Sequence, residues 1–555
     1  MKKQYPACPM SSSIDPRFYY LHNFRKALAW IGDRHADLLD AREQAFLQAF
    51  DALDWGAQAL LVRMIMRKGV HFRASKLNYE EIGCCRQAAA ALIANGWVLD
   101  DAPLPLDVLL ALLRKDEIVA SFTAQLSDRR ARKDDLAQQL AAQFAASQSF
   151  AAWCPALDDV LYSLTIDDLS ERLRLMFFGN LRQEWSEFVL ADLGIFRYER
   201  VDFPADSRAL RCREDVDDYL HLQRCREAFE AGEVSDELLA RIDARRYDNP
   251  YIAERRAKLL FRIGQHLERG ADFDLALQVY ASSGYGAARQ RCIRVLERTL
   301  QHREAFELAS QAVAEPVSDG ELQLAERALV RLARHLGLPA QKRGKVQAPA
   351  RLDLHLPKTP MLAVERLVQQ HLHCSEAPVH YVENTLICSL FGLLCWPAIF
   401  AAIPGAFFHP FQHGPADLLS AEFYPRRRAL FAEYLAQLDD HRYRDSIRQT
   451  YRDKFGIQSP FVHWGVLSET LLEQALDCLP AAHLQAWFRR LLGDVQANRS
   501  GMPDLIQFWP EEKRYRMIEV KGPGDRLQDN QRRWLAFCAE HGMPVDVCYV
   551  QWAPA

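Results

Sequence analysis

Two carboxylates and a lysine near the end of the chain have the types and spacing that phosphodiester hydrolysis requires. Gly501-Met502-Pro503-Asp504-Leu505-Ile506 precedes Tyr515-Arg516-Met517-Ile518-Glu519-Val520-Lys521-Gly522. Side chains alternate faces along a strand, so Met517, Glu519 and Lys521 would project one way and Arg516, Ile518 and Val520 the other. Between them Pro510-Glu511-Glu512-Lys513-Arg514 is polar and begins with proline, which suits a hairpin that sets Asp504 across from Glu519. Two hard carboxylate oxygens, the carbonyl of Val520 and several waters would form a shell for Mg²⁺ or Mn²⁺. Such an ion would hold the scissile phosphate, help deprotonate the attacking water and neutralise the leaving oxygen, with the Lys521 ammonium orienting water and phosphate. The bare pattern is short, and a solvated hairpin with Glu519 and Lys521 paired at its surface would carry the same residues.

The flanking residues narrow the choice. Gly501 to Leu505 and the run Glu519-Val520-Lys521-Gly522-Pro523-Gly524-Asp525-Arg526-Leu527, with Gln531 and Trp534 following, resemble the virus-type replication-repair nuclease domain of the PD-(D/E)xK superfamily. The resemblance implies a metal site at Asp504, Glu519 and the Val520 carbonyl, a catalytic Lys521, Gln531 on the next helix near the site, and one more acid from an upstream helix. Glu383, just before the apolar stretch Leu386 to Trp396, looks like that acid. The order of regions resembles the Fanconi-associated nuclease family at the size of a prokaryotic member. These regions are an N-terminal helical domain (1–100), a SAP-like segment (101–190), TPR-like helical repeats (191–345) and a C-terminal nuclease domain (351–555).

What this implies is a metal-dependent, structure-selective DNA nuclease for branched substrates, especially 5′ flaps. It would cut in the duplex near the junction, trim 5′ to 3′ and serve interstrand crosslink repair. The sequence shows no N-terminal Cys/His finger of the ubiquitin-binding kind found in larger eukaryotic members, so recruitment through ubiquitinated partners is not implied, and protein partners are not read from the sequence. Two other readings stay open. A Holliday-junction resolvase or another branched-DNA nuclease would share the metal chemistry, and a repeat scaffold could keep the nuclease fold without activity.

The fold class that must position these groups is mostly α with a C-terminal α/β domain. A helix from about Gln528 to His541 and a strand from Val545 to Trp552 would complete an α-β-β-β-α-β core, given a first strand upstream of Asp504. Leu53 to Lys68 has helical spacing, and Lys76 to Ile82 resembles a stretch shared by the same nuclease family, with a helical packing module as the plainer reading. Leu106 to Ile118 and Arg129 to Leu140 look like the SAP helix pair, offering Arg129, Arg130, Arg132 and Lys133 to duplex phosphates without sequence readout. The alternative is a charged helix pair that only packs.

Ile263 to Gly270, Leu275 to Tyr280 and a looser echo at Ala305 to Ala309 suggest a degenerate TPR array with a concave face. Its Arg289, Arg291, Arg294, Arg298 and Arg303 could face DNA or pair with neighbouring acids. Residues 338–350 read as a linker, and Leu362 to His373 as a helix. His371, His373 and Cys374 lack a second Cys/His pair at finger spacing, which favours packing. Arg426-Arg427-Arg428 and Arg442 to Arg452, with Tyr443 and Tyr451 interleaved, suit a backbone-tracking surface or a charged helix face. Arg499 and Arg526 flank the core where a phosphate could be held.

With 555 residues and 49% hydrophobic content the chain can bury several cores, which suggests three or four domains. A net charge of −4 means that any nucleic-acid surface must come from local clustering. Thirteen cysteines without CxxC pairs read as reduced intracellular thiols. Met1-Lys2-Lys3-Gln4-Tyr5 is followed by no apolar segment, so no signal peptide is expected and the reading is cytoplasmic. Leu386 to Ile403 carries no charge, but Pro397, Ser389 and Gly392 interrupt or dilute it and Glu383 precedes it; a buried helix behind the nuclease sheet is expected rather than a membrane span.

Overall fold

The structure, a computed structural model, describes residues 16–144, 146–187, 196–339, 349–359 and 361–553. Most of the expected linker and the first five residues lie outside the described residues. The chain is mostly helical with a mixed sheet near its C-terminus, as expected. It divides into two units, Met1–Ile195 with Leu210–Val216, and Phe196–Ala209 with Asp217–Ala555.

In the first unit a helix Trp55–Ile65 starts where Asp54 accepts a hydrogen bond from the Ala57 amide. Arg67 and Lys68 fall beyond its end. The expectation of an all-helical first hundred residues is corrected by a small antiparallel sheet of β1 (His71–Arg73), β2 (Val98–Leu99) and β3 (Leu161–Leu164), in the order β1-β3-β2. Such short strands show no period to read, and β3 is remote in sequence from both its partners. Lys76 to Ile82 is not helical either beyond a 3₁₀ turn ending at Lys76. This loop brings Glu81 to Arg63 at 2.6 Å.

The expected helix from Leu106 to Ile118 is two helices, Leu106–Leu112 and Lys115–Ser121, because Glu117 turns back to accept from the Arg114 amide at 2.7 Å and starts the second. Its expected partner begins at Lys133, where Asp135 accepts from the Arg132 amide. Arg129, Arg130 and Arg132 therefore lie exposed on the loop before that helix rather than on its face.

In the second unit the helical array runs through Pro250–Arg269, Phe273–Ser283, Ala288–Arg298, His302–Ala314 and α1 (Asp319–His335). A Cβ on Gly264 would sit 2.6 Å from the Tyr280 ring, so only glycine lets the first two of these helices approach so closely. Arg291, Arg294 and Arg298 lie 3.7, 3.2 and 3.9 Å from the buried Glu268, and Arg289 pairs with Glu321 at 2.5 Å. For these four arginines the acid-paired reading holds.

The remaining chain forms β4 (Ala350–Leu356), α2 (Val364–Leu372), β5 (Val379–Tyr381), α3 (Leu386–Leu394), α4 (Ala481–Gly493), β6 (Leu505–Trp509), β7 (Arg514–Lys521), α5 (Asp529–Glu540) and β8 (Val545–Trp552). The sheet order is β4-β8-β7-β6-β5, with β6 antiparallel to β5 and β7, and β8 parallel to β7 and β4. The first strand expected upstream of Asp504 is β5; the edge strand β4 was not expected.

Alternation divides the two faces. Leu505, Ile518 and Val520 pack with Leu367 and Val368 of α2, while Ile506, Phe508 and Met517 join the larger core of α3, α4 and α5. Every residue of α3 is buried, and the apolar run continues as a second short helix, Trp396–Ile399, with Pro397 in its first turn. Among the described residues no helix is long and apolar enough to cross a membrane.

Candidate active site

The hairpin pairs Leu505 with Ile518, and one step further along the same register sets Asp504 beside Glu519. Asp504, Glu519 and Lys521 are all buried, Glu519 completely. The turn that delivers Asp504 depends on Gly501, whose φ of +89° lies in the left-handed region and whose added Cβ would meet Asn530 of α5 at 2.8 Å. Two bonds tie this turn to the Glu383 segment: the Met502 amide donates to Asn384 Oδ1 at 3.0 Å, and the Val382 amide donates to the Asp504 carbonyl at 2.8 Å. Asn384 takes a φ of 54°, which turns the chain between β5 and α3 and leaves Glu383 half-buried at the site.

Each acid has a different local partner. Asp504 Oδ2 accepts from the Val520 amide at 2.8 Å. Glu383 Oε2 accepts from the Tyr381 hydroxyl at 2.5 Å, and its Oε1 accepts from Asn384 at 3.3 Å. Glu519 has the Lys521 ammonium 2.8 Å from Oε1, but neither of its carboxylate oxygens receives an aligned hydrogen bond. Burial pushes the Glu519 carboxyl well above the usual carboxylate range, and the nearby Asp504 and Glu383 charges add to it against the pull of Lys521. Burial raises Asp504 as well, with Glu383 and Glu365 adding and the Val520 amide and Lys521 opposing.

Glu365 is the functional candidate that the sequence reading missed. It sits in the first turn of α2, a helix taken only as a lead-in to Glu383, and its charge reaches Asp504 and Tyr381. The resemblance called for one acid from an upstream helix, and Glu383 had already filled that place, so the sequence offered nothing specific to Glu365.

Among the described residues no three carboxylate, imidazole or thiol groups already close around a common point. Glu383 is turned onto Tyr381 and Asn384 rather than into a finished cage. The donor set nevertheless fits a hard divalent cation. Glu519 is a buried carboxylate with no aligned hydrogen bond to either oxygen, and it lies near Asp504 and Glu383 with the Lys521 ammonium as its buried counter-charge.

The sequence-predicted DNA residues fare unevenly. Arg499 is exposed just before the Gly501 turn, and Arg526 is exposed between β7 and α5. Gln531 Oε1 accepts from the Gln528 amide at 2.9 Å and so is engaged in starting α5. Lys133 reaches the Ala111 carbonyl at 3.4 Å, and Arg129 the Thr123 carbonyl at 3.1 Å. Arg427 is fully buried and, like Arg426, pairs with Asp417, while Tyr443 is buried and cannot stack on a base. His373 Nδ1 accepts from the Val379 amide at 3.1 Å, a packing role as expected.

Three family models match the chain: the VRR-NUC domain at residues 438–552, the FAN1 HTH domain at 18–99, and the Fanconi anemia-associated nuclease SAP domain at 103–153. The chain is 56% identical to the Fanconi-associated nuclease 1 homolog of Pseudomonas aeruginosa, over 100% of this chain and 99% of that protein. It belongs to the Fanconi-associated nuclease family. As a member with a VRR-NUC domain it is a nuclease, a phosphodiesterase that acts on DNA. A crystal structure of paFAN1 bound to 2nt 5′ flap DNA with gap superimposes with a TM-score of 0.91 at 56% identity, covering 98% of this chain and 100% of that one. Fanconi-associated nuclease 1 of Homo sapiens is 32% identical over 203 residues, 35% of this chain and 20% of the human protein.

Proposed function

We propose that this nuclease is a divalent-metal enzyme selective for branched DNA, above all 5′ flaps, working on chromosomal DNA in the cytoplasm and in interstrand crosslink repair. The observation that carries the metal reading is the buried Glu519 carboxylate, with no aligned hydrogen bond to either oxygen, beside Lys521 and Asp504. The flap reading is supported by likeness to paFAN1, which was crystallised on 5′ flap DNA.

Asp504, Glu519, the Val520 carbonyl, Glu383 and Glu365 would hold the ion, and Mg²⁺ or Mn²⁺ bound there would supply Lewis-acid stabilisation of the phosphate and lower the pKa of water. Lys521, held at 2.8 Å from Glu519, presents its ammonium to the attacking water and a phosphate oxygen, orienting one and stabilising charge on the other. The Val520 amide holds one oxygen of the Asp504 carboxylate, which orients the group and leaves the other oxygen to serve as a ligand. Tyr381 and Asn384 hold Glu383 until it is needed. Water attacks phosphorus, the 3′ oxygen leaves, and the product carries a 5′ phosphate. Exposed Arg499 and Arg526 flank the site as contacts for neighbouring phosphates.

Purified protein given Mg²⁺ should cut a 5′ flap faster than a four-way junction or linear duplex. Faster cutting of the four-way junction would favour a resolvase, and cleavage unaffected by a chelator would overturn the metal reading. An inactive scaffold is disfavoured because Asp504, Glu519 and Lys521 are all in place.

A further inference from the structure

The last helix of the array and the nuclease core are joined by three polar contacts in a row. Asp319, Gln323 and Arg327 lie four residues apart on α1 and so share one face. Asp319 lies 3.3 Å from Arg490 of α4, and Gln323 accepts from Arg533 of α5 at 2.7 Å. Arg327 forks onto both oxygens of Asp529, the first residue of α5, at 2.6 and 2.7 Å. Arg490 in turn lies against the rings of Trp534 and Phe537 of α5, 5.1 and 4.5 Å from their centroids.

The adjoining face of α5 holds the catalytic turn. Asn530, next to Asp529, is the residue against which Gly501 closes, and Trp534 Nε1 donates to the Ser500 carbonyl at 3.1 Å. From Gly501 the chain reaches Met502, bonded to Asn384 beside Glu383, and then Asp504. The path from Arg327 to the metal-facing acids thus runs through one helix and one turn.

We propose that this three-rung ladder is a positioning device for catalysis, with Arg327 and Asp529 as positioning residues. It fixes α5, and α5 fixes the turn from Ser500 to Asp504. Arg327 and Asp529 are half-exposed, and the buried apolar residues of α1 belong to a different cluster from those of α5, so a shift of α1 is delivered to the catalytic turn rather than absorbed in an apolar seam. Movement of the array as substrate is seated would in this way bear on Asp504. The inference rests on the nuclease reading above. That reading fails if the native protein does not cut DNA, whereas this one fails only if variants of the ladder cut normally.

The test is single-turnover and steady-state cleavage of a flap by the full chain with Mg²⁺. The variants are Arg327→Gln, Asp529→Asn and the two combined, with DNA affinity and thermal melting measured alongside. Displacement of a catalytic group by a fraction of an ångström predicts a kcat lower by roughly tenfold in each single variant, with DNA affinity and KM unchanged within about twofold. Because both substitutions cut the same rung, the double variant should be no slower than either single one. Arg327→Lys, which keeps the charge and loses the fork, should fall between native and Arg327→Gln. It carries the test alone if Asp529→Asn does not fold. Unchanged kcat in Arg327→Gln, a loss confined to DNA affinity, or effects that multiply in the double variant would each overturn the proposal.

Discussion

Two buried clusters of charge in this chain are built in opposite ways. In the first unit Arg73 donates to Glu117 at 2.7 Å and to Asp159 at 2.8 Å, and all three groups are at most 8% exposed. Hydrogen bonding to Arg73 holds the Glu117 carboxyl down at about 2. In the nuclease core Glu519 is as deeply buried, but burial and the Asp504 charge push it the other way against the pull of Lys521. One cluster is compensated and serves the fold. The other is left short of positive charge, which is the charge that the proposed divalent ion would supply.

The largest effect should come from removing the uncompensated group. Glu519→Gln should slow cleavage by roughly three or more orders of magnitude while leaving DNA binding intact, as measured by single-turnover kinetics and fluorescence anisotropy. It should also not destabilise the metal-free protein. A carboxyl whose folded pKa is raised binds more protons in the folded state, so its contribution to stability falls as pH rises from the unfolded value toward the folded one. Glu519→Gln should flatten that decline in thermal melts taken across this window, and a steeper decline in the variant would break the contrast.

The same exchange in the compensated cluster should cost the fold instead. Glu117→Gln leaves Arg73 partly unpaired and should destabilise the first unit by about 3 kcal/mol. Glu117 has a depressed pKa, so its contribution is full above the unfolded carboxylate value and disappears as pH falls through its folded value of about 2. Urea unfolding followed in the first unit checks this, and a variant as stable as the native chain would remove half of the comparison.

Metal uptake sharpens the contrast further. Because Asp504 and Glu519 hold protons above the usual range, Mg²⁺ or Mn²⁺ should displace them, and apparent affinity should weaken as pH falls. Calorimetry in two buffers of different ionisation enthalpy reads the protons released, with more released per ion at pH 6 than at pH 8. The smallest effect is expected from Tyr381→Phe, which frees Glu383 and should change metal affinity by only about threefold, a change worth less than one typical hydrogen bond.

The catalytic strands were legible because alternation over β7 and a short polar connection are local signals. So was the buried helix α3, whose length and interruption argued against a membrane. Glu365 was not legible, since nothing in Val364-Glu365-Arg366-Leu367 separates an acid aimed at a site from one on a solvated face. The fate of the array arginines was hidden for a related reason: Arg289 meets Glu321, and Arg291, Arg294 and Arg298 meet Glu268, acids more than a helical turn away in sequence. The break between Leu112 and Lys115 could have been read, because Glu117 stands three residues after Arg114, a position from which an acid caps a helix start. The strands β1, β2 and β3 are two to four residues long and could not have been read, since pairing rather than composition defines them.

That small sheet also dictates how the chain can be dissected. Its middle strand, Leu161–Leu164, arrives only after the whole segment matched as SAP has been threaded out and back. A fragment stopped at residue 100 would expose the inner edges of both β1 and β2 to solvent and to each other's copies, inviting aggregation. A cut placed beyond β3 keeps the sheet whole, so the shortest N-terminal piece that can stand alone carries the SAP-matched insertion with it.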